Sequence, residues 1–424
     1  MSDIASVDIL VIGAGPAGLS AAISARECGV SSLIVLERES SPGGILRQCV
    51  HNGFGLHRFK MELTGPEYAQ RDIDRANELG IQIKCNSTVL SVSENRYVTY
   101  VSKEEGFRRI QAKAIILAMG CRERPRGALC TPGTRCAGIY SAGTAQRFVN
   151  LEGYMPGKEV VILGSGDIGL IMARRMTLQG AHVLACVEIM PYSSGLNRNI
   201  VQCLQDYDIP LYLSHTVTDI RGKDRLEAVT VAQVDRNRKP VPGTEKEIKC
   251  DTLLLSCGLI PENELSAGAG VLISPATSGA FVNERFETSV EGIFACGNVL
   301  HVHDLVDHVS DESCLAGKAA ADYVMHGYSG ETGFTVQDGN GVRGVVPQRI
   351  TTIPQNDVRL MFRPADVYRN AAVVVECNGV EIARKKAMIF TPGEMVSVMI
   401  SRKDLCQQKE GYISVHIEGE KRNE

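Results

Sequence analysis

One pattern occurs twice in this chain, and few folds admit it. In the first copy the apolar run Val7-Asp8-Ile9-Leu10-Val11-Ile12 leads directly into Gly13-Ala14-Gly15-Pro16-Ala17-Gly18. An Ala-rich helical stretch from Leu19 to Cys28 follows, then Gly29, a second apolar run Ser32-Leu33-Ile34-Val35-Leu36, and Glu37. In the second copy Val160-Val161-Ile162-Leu163 precedes Gly164-Ser165-Gly166-Asp167-Ile168-Gly169 and a helical stretch from Leu170 to Gln179. Gly180, a strand from Ala181 to Val187 and Glu188 complete it, so the interval from first glycine to acid is the same in both copies. The first glycine makes the tight strand-to-helix turn, the second lets backbone approach a pyrophosphate, and the third lets helix and strand pack closely. The helix N-terminus supplies N–H donors and positive potential, and the acid accepts from ribose hydroxyls. A single match also occurs at plain structural corners. Two matches in register with their acids predict two dinucleotide sites.

The bulk numbers allow this and exclude other classes. A chain of 424 residues has room for two or three domains. With 44% hydrophobic and 22% charged residues it reads as a globular protein. A net charge of −4 argues against a nucleic-acid footprint, and no Lys/Arg cluster suggests a membrane surface. The N-terminal residues lack the basic region and cleavage site of a signal peptide, and no apolar run reaches the ~18–20 residues of a membrane span. Fourteen irregularly spaced cysteines then imply reduced thiols in the cytoplasm, not a disulfide framework.

With these features the sequence resembles the two-dinucleotide-binding flavoprotein family, in its thioredoxin-reductase-like branch, over residues 1 to about 330. Ala114-Ile115-Ile116-Leu117-Ala118-Met119-Gly120 looks like the family's strand at the crossover to the second domain. Gly292-Ile293-Phe294-Ala295-Cys296-Gly297-Asn298 looks like the late strand whose terminal Asp holds the ribityl chain of FAD, and Asp251 to Gly258, followed by Pro261-Glu262-Asn263, looks like the strand closing the NAD domain. The resemblance implies an α/β fold of two Rossmann-like domains: an FAD-binding domain of residues 1–123 and 259–330, with an NAD(H)-binding domain, 124–258, inserted. A small C-terminal β-rich module, 331–424, follows.

The resemblance places FAD contacts at Gly13, Gly15, Pro16, Ala17, Gly18, Glu37, Arg38, Gly44, Val89, Ala118, Gly120, Gly297, Asn298, Val306 and Asp307. It places NAD contacts at Gly164, Gly166, Asp167, Ile168, Gly169, Glu188 and Gly258. A hydride would pass between nicotinamide and flavin, with the flavin as redox centre. Glu188 favours NAD over NADP, because a carboxylate repels a 2′-phosphate. Arg174 and Arg175, one helix further on, read as a solvated face. A helix opening at Ser310-Asp311-Glu312 and running to about Met325 is expected, with its start aimed at the flavin pyrimidine ring.

Two departures narrow the function. Position 298 is Asn where the family has Asp. The redox Cys-x-x-Cys is missing, because Gly133 to Tyr140 holds only Cys136 and the segment after Gly43-Gly44 holds only Cys49, which argues against disulfide reduction. Gly43 to Gly55, Leu63 to Ala69, Gly164 to Arg175 and His301 to Asp307 look like the pyridine-nucleotide subunits of bacterial multi-component dehydrogenases for glycerol 3-phosphate, opines or related amino acids. That similarity implies a partner flavoprotein dehydrogenase, a small iron–sulfur protein, or both. A self-contained NADH oxidase or small-molecule reductase is the alternative enzyme, and a non-catalytic assembly subunit with a vestigial NAD site the alternative of another class.

Weaker candidates complete the reading. Cys49 with His51 is a candidate activated thiolate, and Asp307 and His308 fall where the family contacts the flavin ring. His301, His303, Asp304, Asp307 and His308 form a polar cluster whose spacing fits no standard zinc pattern, so no metal is expected there. Cys121, Cys130 and Cys136 with Cys49 match no iron–sulfur motif. Arg122, Arg124 and Arg126 read as a solvated hinge or an acidic partner's docking surface. Tyr368 to Cys377, Val380 to Phe390 and Met395 to Ile400 predict short strands, with turns at Asn378-Gly379 and Pro392-Gly393, in a β-sandwich-like module with a docking or assembly role.

Overall fold

The computed structural model describes residues 5–327, 330–408 and 410–421. It divides into two compact units, one formed by Met1–Cys121 with Pro261–Glu424 and the other by Arg122–Ile260. The parts of the expected domain ranges at 1–4, 328–329, 409 and 422–424 lie outside the described residues.

In the first unit, strands run in the order Gln82–Lys84, Leu33–Leu36, Ala5–Ile12, Gly106–Leu117, Tyr97–Ser102 and Ser87–Val92, and Ile293–Ala295 also pairs with Gly106–Leu117. The strands around Ala5–Ile12 pair in parallel. A parallel strand covered on both faces needs a continuous apolar run, and Ile9, Leu10 and Val11 are fully buried. The helices Pro16–Glu27 and Val306–His326 lie against each other. Gly317 permits this, since a Cβ there would strike the Ala21 backbone, and Ser24 Oγ donates to the Cys314 carbonyl at 2.9 Å.

Three local expectations shift. The glycine-rich helices begin at Pro16 and Asp167, so each third glycine lies inside the first turn and not ahead of it. The helix expected from Ser310 begins at Val306, with extended Leu305 at its N-cap and Asp307 as the acid of its first turn. Ser310 does not cap it, because its buried hydroxyl sits 2.9 Å from the Tyr68 hydroxyl that donates to it.

The second unit repeats the plan. Its parallel sheet runs Ile139–Ser141, Thr252–Leu255, Glu159–Leu163, His182–Glu188 and Leu211–Leu213. An antiparallel sheet of His215–Gly222, Leu226–Gln233 and Lys246–Lys249 shares a core with it through Val161, Val187, Val217 and Val229.

The C-terminal part, grouped with the first unit, is two sheets over one core. Five strands run Arg349–Thr351, Thr332–Asp338, Gly411–Lys421, Tyr368–Cys377 and Val380–Phe390; three run Val342–Val346, Val358–Pro364 and Val396–Ile400. Phe334, Val373 and Val375 of the first sheet meet Leu360, Phe362 and Val398 of the second in that core. Asn378 and Gly379, at φ of 52° and 81°, make the tight turn that their residue types favour. Asp304 ties this part to the segment before the Val306–His326 helix, accepting from the Arg363 guanidinium and from the Met395 N–H at 2.7 Å. No helix among the described residues is long and apolar enough to cross a membrane.

Candidate dinucleotide-binding sites

The two glycine turns are built alike. Gly13 and Gly164 sit at φ of 102° and 97°, and a Cβ on either would strike the carbonyl oxygen of Ala118 or of Ser256. Their N–H groups donate to Leu36 and Val187 at 2.8 and 2.7 Å. Both acids are buried and already hold their own turns. Glu37 accepts from Ala14 N–H at 2.7 Å and Glu39 N–H at 2.9 Å. Glu188 accepts from Ser165 N–H at 2.9 Å, Ser165 Oγ at 2.6 Å and Met190 N–H at 2.9 Å. A carboxylate has about four lone-pair positions, so each retains capacity for a ribose hydroxyl.

Neither helix has a side-chain cap, since the N-caps are Gly15 and Gly166. Their first-turn N–H groups suit an anion, and both turns therefore fit a dinucleotide. One N–H is taken, that of Gly169 by Ser256 Oγ at 3.0 Å. The copies differ at Asp167, whose Oδ1 accepts from Leu196 N–H at 2.9 Å and Asn199 Nδ2 at 2.6 Å. That acid holds the segment following the strand His182–Glu188. Gly258, at φ 96°, follows Ser256 and accepts from Arg124 N–H through its carbonyl.

Several expected FAD contacts converge on the first turn. A Cβ at Gly44 would lie 2.8 Å from the Gly15 Cα, and one at Gly297 would lie 2.7 Å from the Ala17 Cβ. Arg38 is exposed just after Glu37, Val89 is half-buried on the outer strand Ser87–Val92, and Gly120 follows Ala118 with φ of 73°. Asn298 is engaged within the chain: Nδ2 lies 3.5 Å from the Cys121 sulfur, and Oδ1 accepts from His303 N–H at 3.0 Å. Beside Val306, Asp307 Oδ2 accepts from His57 N–H at 2.8 Å, while its buried Oδ1 has no partner. An acceptor left free at a helix N-terminus fits the edge of a flavin, whose ring carries an N–H.

The surroundings of Cys49 weigh against an activated thiolate. The residue is only partly covered, but its thiol is enclosed closely enough that desolvation pushes it up to about 12, and it donates to the Ile45 carbonyl. With iodoacetamide at pH 8, exposed Cys28, Cys130 and Cys406 should be alkylated first, and Cys49 at least about tenfold more slowly. Labelling of Cys49 as fast as Cys28, followed by peptide mass spectrometry, would refute its enclosure.

His51 packs against Phe54 at 4.9 Å between ring centroids, with Nδ1 3.0 Å from the Asn52 carbonyl. His308 is held below its ordinary value by burial, with His303 and His57 adding to the effect. Arg126 donates to the carbonyls of Thr131, Pro132, Gly133 and Thr134, which folds its own loop. Arg174 is exposed, but Arg175 is half-buried and donates to Asn150 Oδ1 at 2.8 Å.

Two polar groups escaped the sequence reading. Arg58, Asp72, Tyr68 and Ser20 form a buried network, with Arg58 Nη1 2.8 Å from Asp72 Oδ2; burial raises the Asp72 carboxyl against the pull of Arg58. Glu312 stands between His301 and His303. Among the described residues these three form the one group of three or more potential ligands close enough for a metal, and no cysteines gather in that way. Asp304 and Asp307 of the polar cluster are directed elsewhere. A pairwise contact between distant segments leaves no local periodicity, which is why neither the Arg58 network nor the place of Glu312 beside His301 and His303 was visible.

Two nucleotide-binding turns of the same construction, one on each of two parallel-sheet units, define a flavin- and pyridine-nucleotide-linked oxidoreductase fold. The chain belongs to the pyridine nucleotide-disulphide oxidoreductase family, whose model matches residues 7–313. FAD and NAD(P)H are the cofactors that proteins of that family use. It is 27% identical over 286 residues to the HcnB component of hydrogen cyanide synthase of Pseudomonas protegens, covering 63% of this chain and 59% of that one. It is 26% identical over 278 residues to an opine oxidase subunit of Agrobacterium tumefaciens, covering 62% and 54%. The chain thus spans little more than half the length of these relatives. The crystal structure of T. acidophilum thioredoxin reductase has the same fold over 76% of this chain and 99% of its own, with a TM-score of 0.62 at 24% identity.

Proposed function

We propose that the chain passes a hydride between NAD(H) and FAD, and exchanges electrons with a separate dehydrogenase whose substrate is glycerol 3-phosphate, an opine or a related amino acid. The observation that carries this reading is the second turn, intact and clamped by Glu188 as the first is by Glu37. The segment where the reductase branch carries a cysteine pair holds Cys136 alone. The flavin, when bound, supplies the hydride chemistry. The first turn would hold its pyrophosphate, Glu37 its ribose, and Asp307 Oδ1 with the N-terminus of Val306–His326 its ring. Glu188 would accept from the NAD ribose and repel a 2′-phosphate. HcnB and the opine oxidase relative are both named as subunits, which supports a multi-component enzyme. Fourteen cysteines, none in a disulfide, support a cytoplasmic setting.

Anaerobic titration of the flavoprotein with NADH, then NADPH, tests the reading. NADH should bleach the flavin, with NADPH at least about tenfold weaker, since a buried carboxylate facing a phosphate costs more than ~1.4 kcal/mol. A bound flavin that ignores both nucleotides would refute the hydride step. Steady turnover by the isolated chain with one small acceptor would favour a self-contained oxidase or reductase.

A further inference from the structure

We propose that His301, His303 and Glu312 form a buried binding site for one divalent metal ion of the zinc type. One donor atom from each lies within 4.8 Å of the others, and all three residues are buried. His301 Nε2 is 2.6 Å from Glu312 Oε2, His303 Nε2 is 3.2 Å from Glu312 Oε1, and the two rings meet edge-on at 4.4 Å. Two imidazoles and a carboxylate are a donor set that zinc and its neighbours in the first row accept. Metal–ligand distances of ~2.0–2.2 Å put tetrahedral donors roughly 3.4 Å apart, so the observed spacings need shifts of under about 1 Å.

His303 is the second and independent observation. Its side chain is 1% exposed, its Nδ1 has no hydrogen-bond partner, and its Nε2 faces only Glu312. The 3.2 Å approach to Glu312 is close but not aligned as a hydrogen bond. A buried nitrogen without a partner is unfavourable, and such groups are rare. These nitrogens have almost no accessible surface, so solvent does not reach them. A cation between the three side chains would take the unused lone pair of His303 and balance the Glu312 carboxylate. The second carboxylate oxygen, which also accepts from Gly297 N–H at 2.7 Å, would complete the coordination. The ion would join the Val306–His326 helix to the turn that carries Asn298, whose Oδ1 accepts from His303 N–H. The sequence spacing hid the site because its third ligand lies on a helix beyond the histidine pair.

The test is metal analysis of the purified flavoprotein by inductively coupled plasma mass spectrometry, as isolated and after dialysis against Zn²⁺ or Co²⁺. About one ion per chain is expected. The cobalt form should show visible d–d bands without thiolate charge-transfer bands. His303→Ala should lower bound metal at least about tenfold while flavin content reports whether the variant is folded. Wild-type protein holding less than about a tenth of an equivalent under both conditions would overturn the proposal. So would metal undiminished in a flavin-loaded His303→Ala variant. If that variant does not fold, the wild-type cobalt spectrum decides: thiolate bands would assign the ion to cysteines and refute the site.

Discussion

Replacing Glu188 with glutamine should raise the NADH concentration needed to bleach half the flavin by roughly 10–100-fold, because hydrogen bonds to a charged group contribute about 1.5–3 kcal/mol. The amide keeps the size of the side chain. It leaves one acceptor oxygen where Ser165 N–H, Ser165 Oγ and Met190 N–H all donate, and it turns N–H donors toward them. The turn and the ribose contact weaken together. Discrimination against NADPH should shrink too, because the repelling charge is gone. Flavin content should stay at the wild-type level, since Glu188 belongs to the second unit and the expected FAD contacts to the first. Unchanged NADH titration in a folded Glu188→Gln protein would remove this residue from the nucleotide site.

Gly18→Ala should yield protein without flavin, or none in soluble form. A Cβ at Gly18 would collide with the Gly13 carbonyl, backbone against which no side chain can yield, and would crowd Val11 Cγ1. Forcing a methyl group into such a site costs several kcal/mol, a large share of a typical ~5–15 kcal/mol stability. Gly29→Ala is the informative control. Gly29 has φ of 102° but open space around its Cβ, so that variant should lose only about 1–2 kcal/mol and keep its flavin. The two flavin-to-protein absorbance ratios and unfolding midpoints decide the matter; a flavin-loaded Gly18→Ala protein of normal stability would mean that the first turn is not built as described.

Both substitutions fall on features that were readable from residue order, and the reason is local. A glycine turn between a strand and a helix, and an acid at the end of the next strand, answer to sterics and hydrogen bonding within one short stretch of chain. What escaped was tertiary. Ser310 has the residue type of a cap, but Tyr68 claims its hydroxyl and the helix starts at Val306. Glu312 and Arg58 show no pattern of their own, because their partners lie on other segments. In the C-terminal part, Tyr368–Cys377 and Val380–Phe390 were recognisable as β-prone runs separated by the turn residues Asn378-Gly379. Thr332–Asp338, partly exposed and rich in polar residues, was not. Its parallel partner, Gly411–Lys421, is also remote in the chain.

That remote pairing governs how the protein can be made. Gly411–Lys421 lies between Thr332–Asp338 and Tyr368–Cys377, in the middle of the five-stranded sheet. During synthesis these neighbours leave the ribosome first and have no strand to pair across until the central one follows, so the facing backbone edges of Thr332–Asp338 and Tyr368–Cys377 remain unpaired for that interval. A stop codon near position 410 would therefore open the sheet along its centre rather than trim a border, leaving two ribbons with aggregation-prone edges.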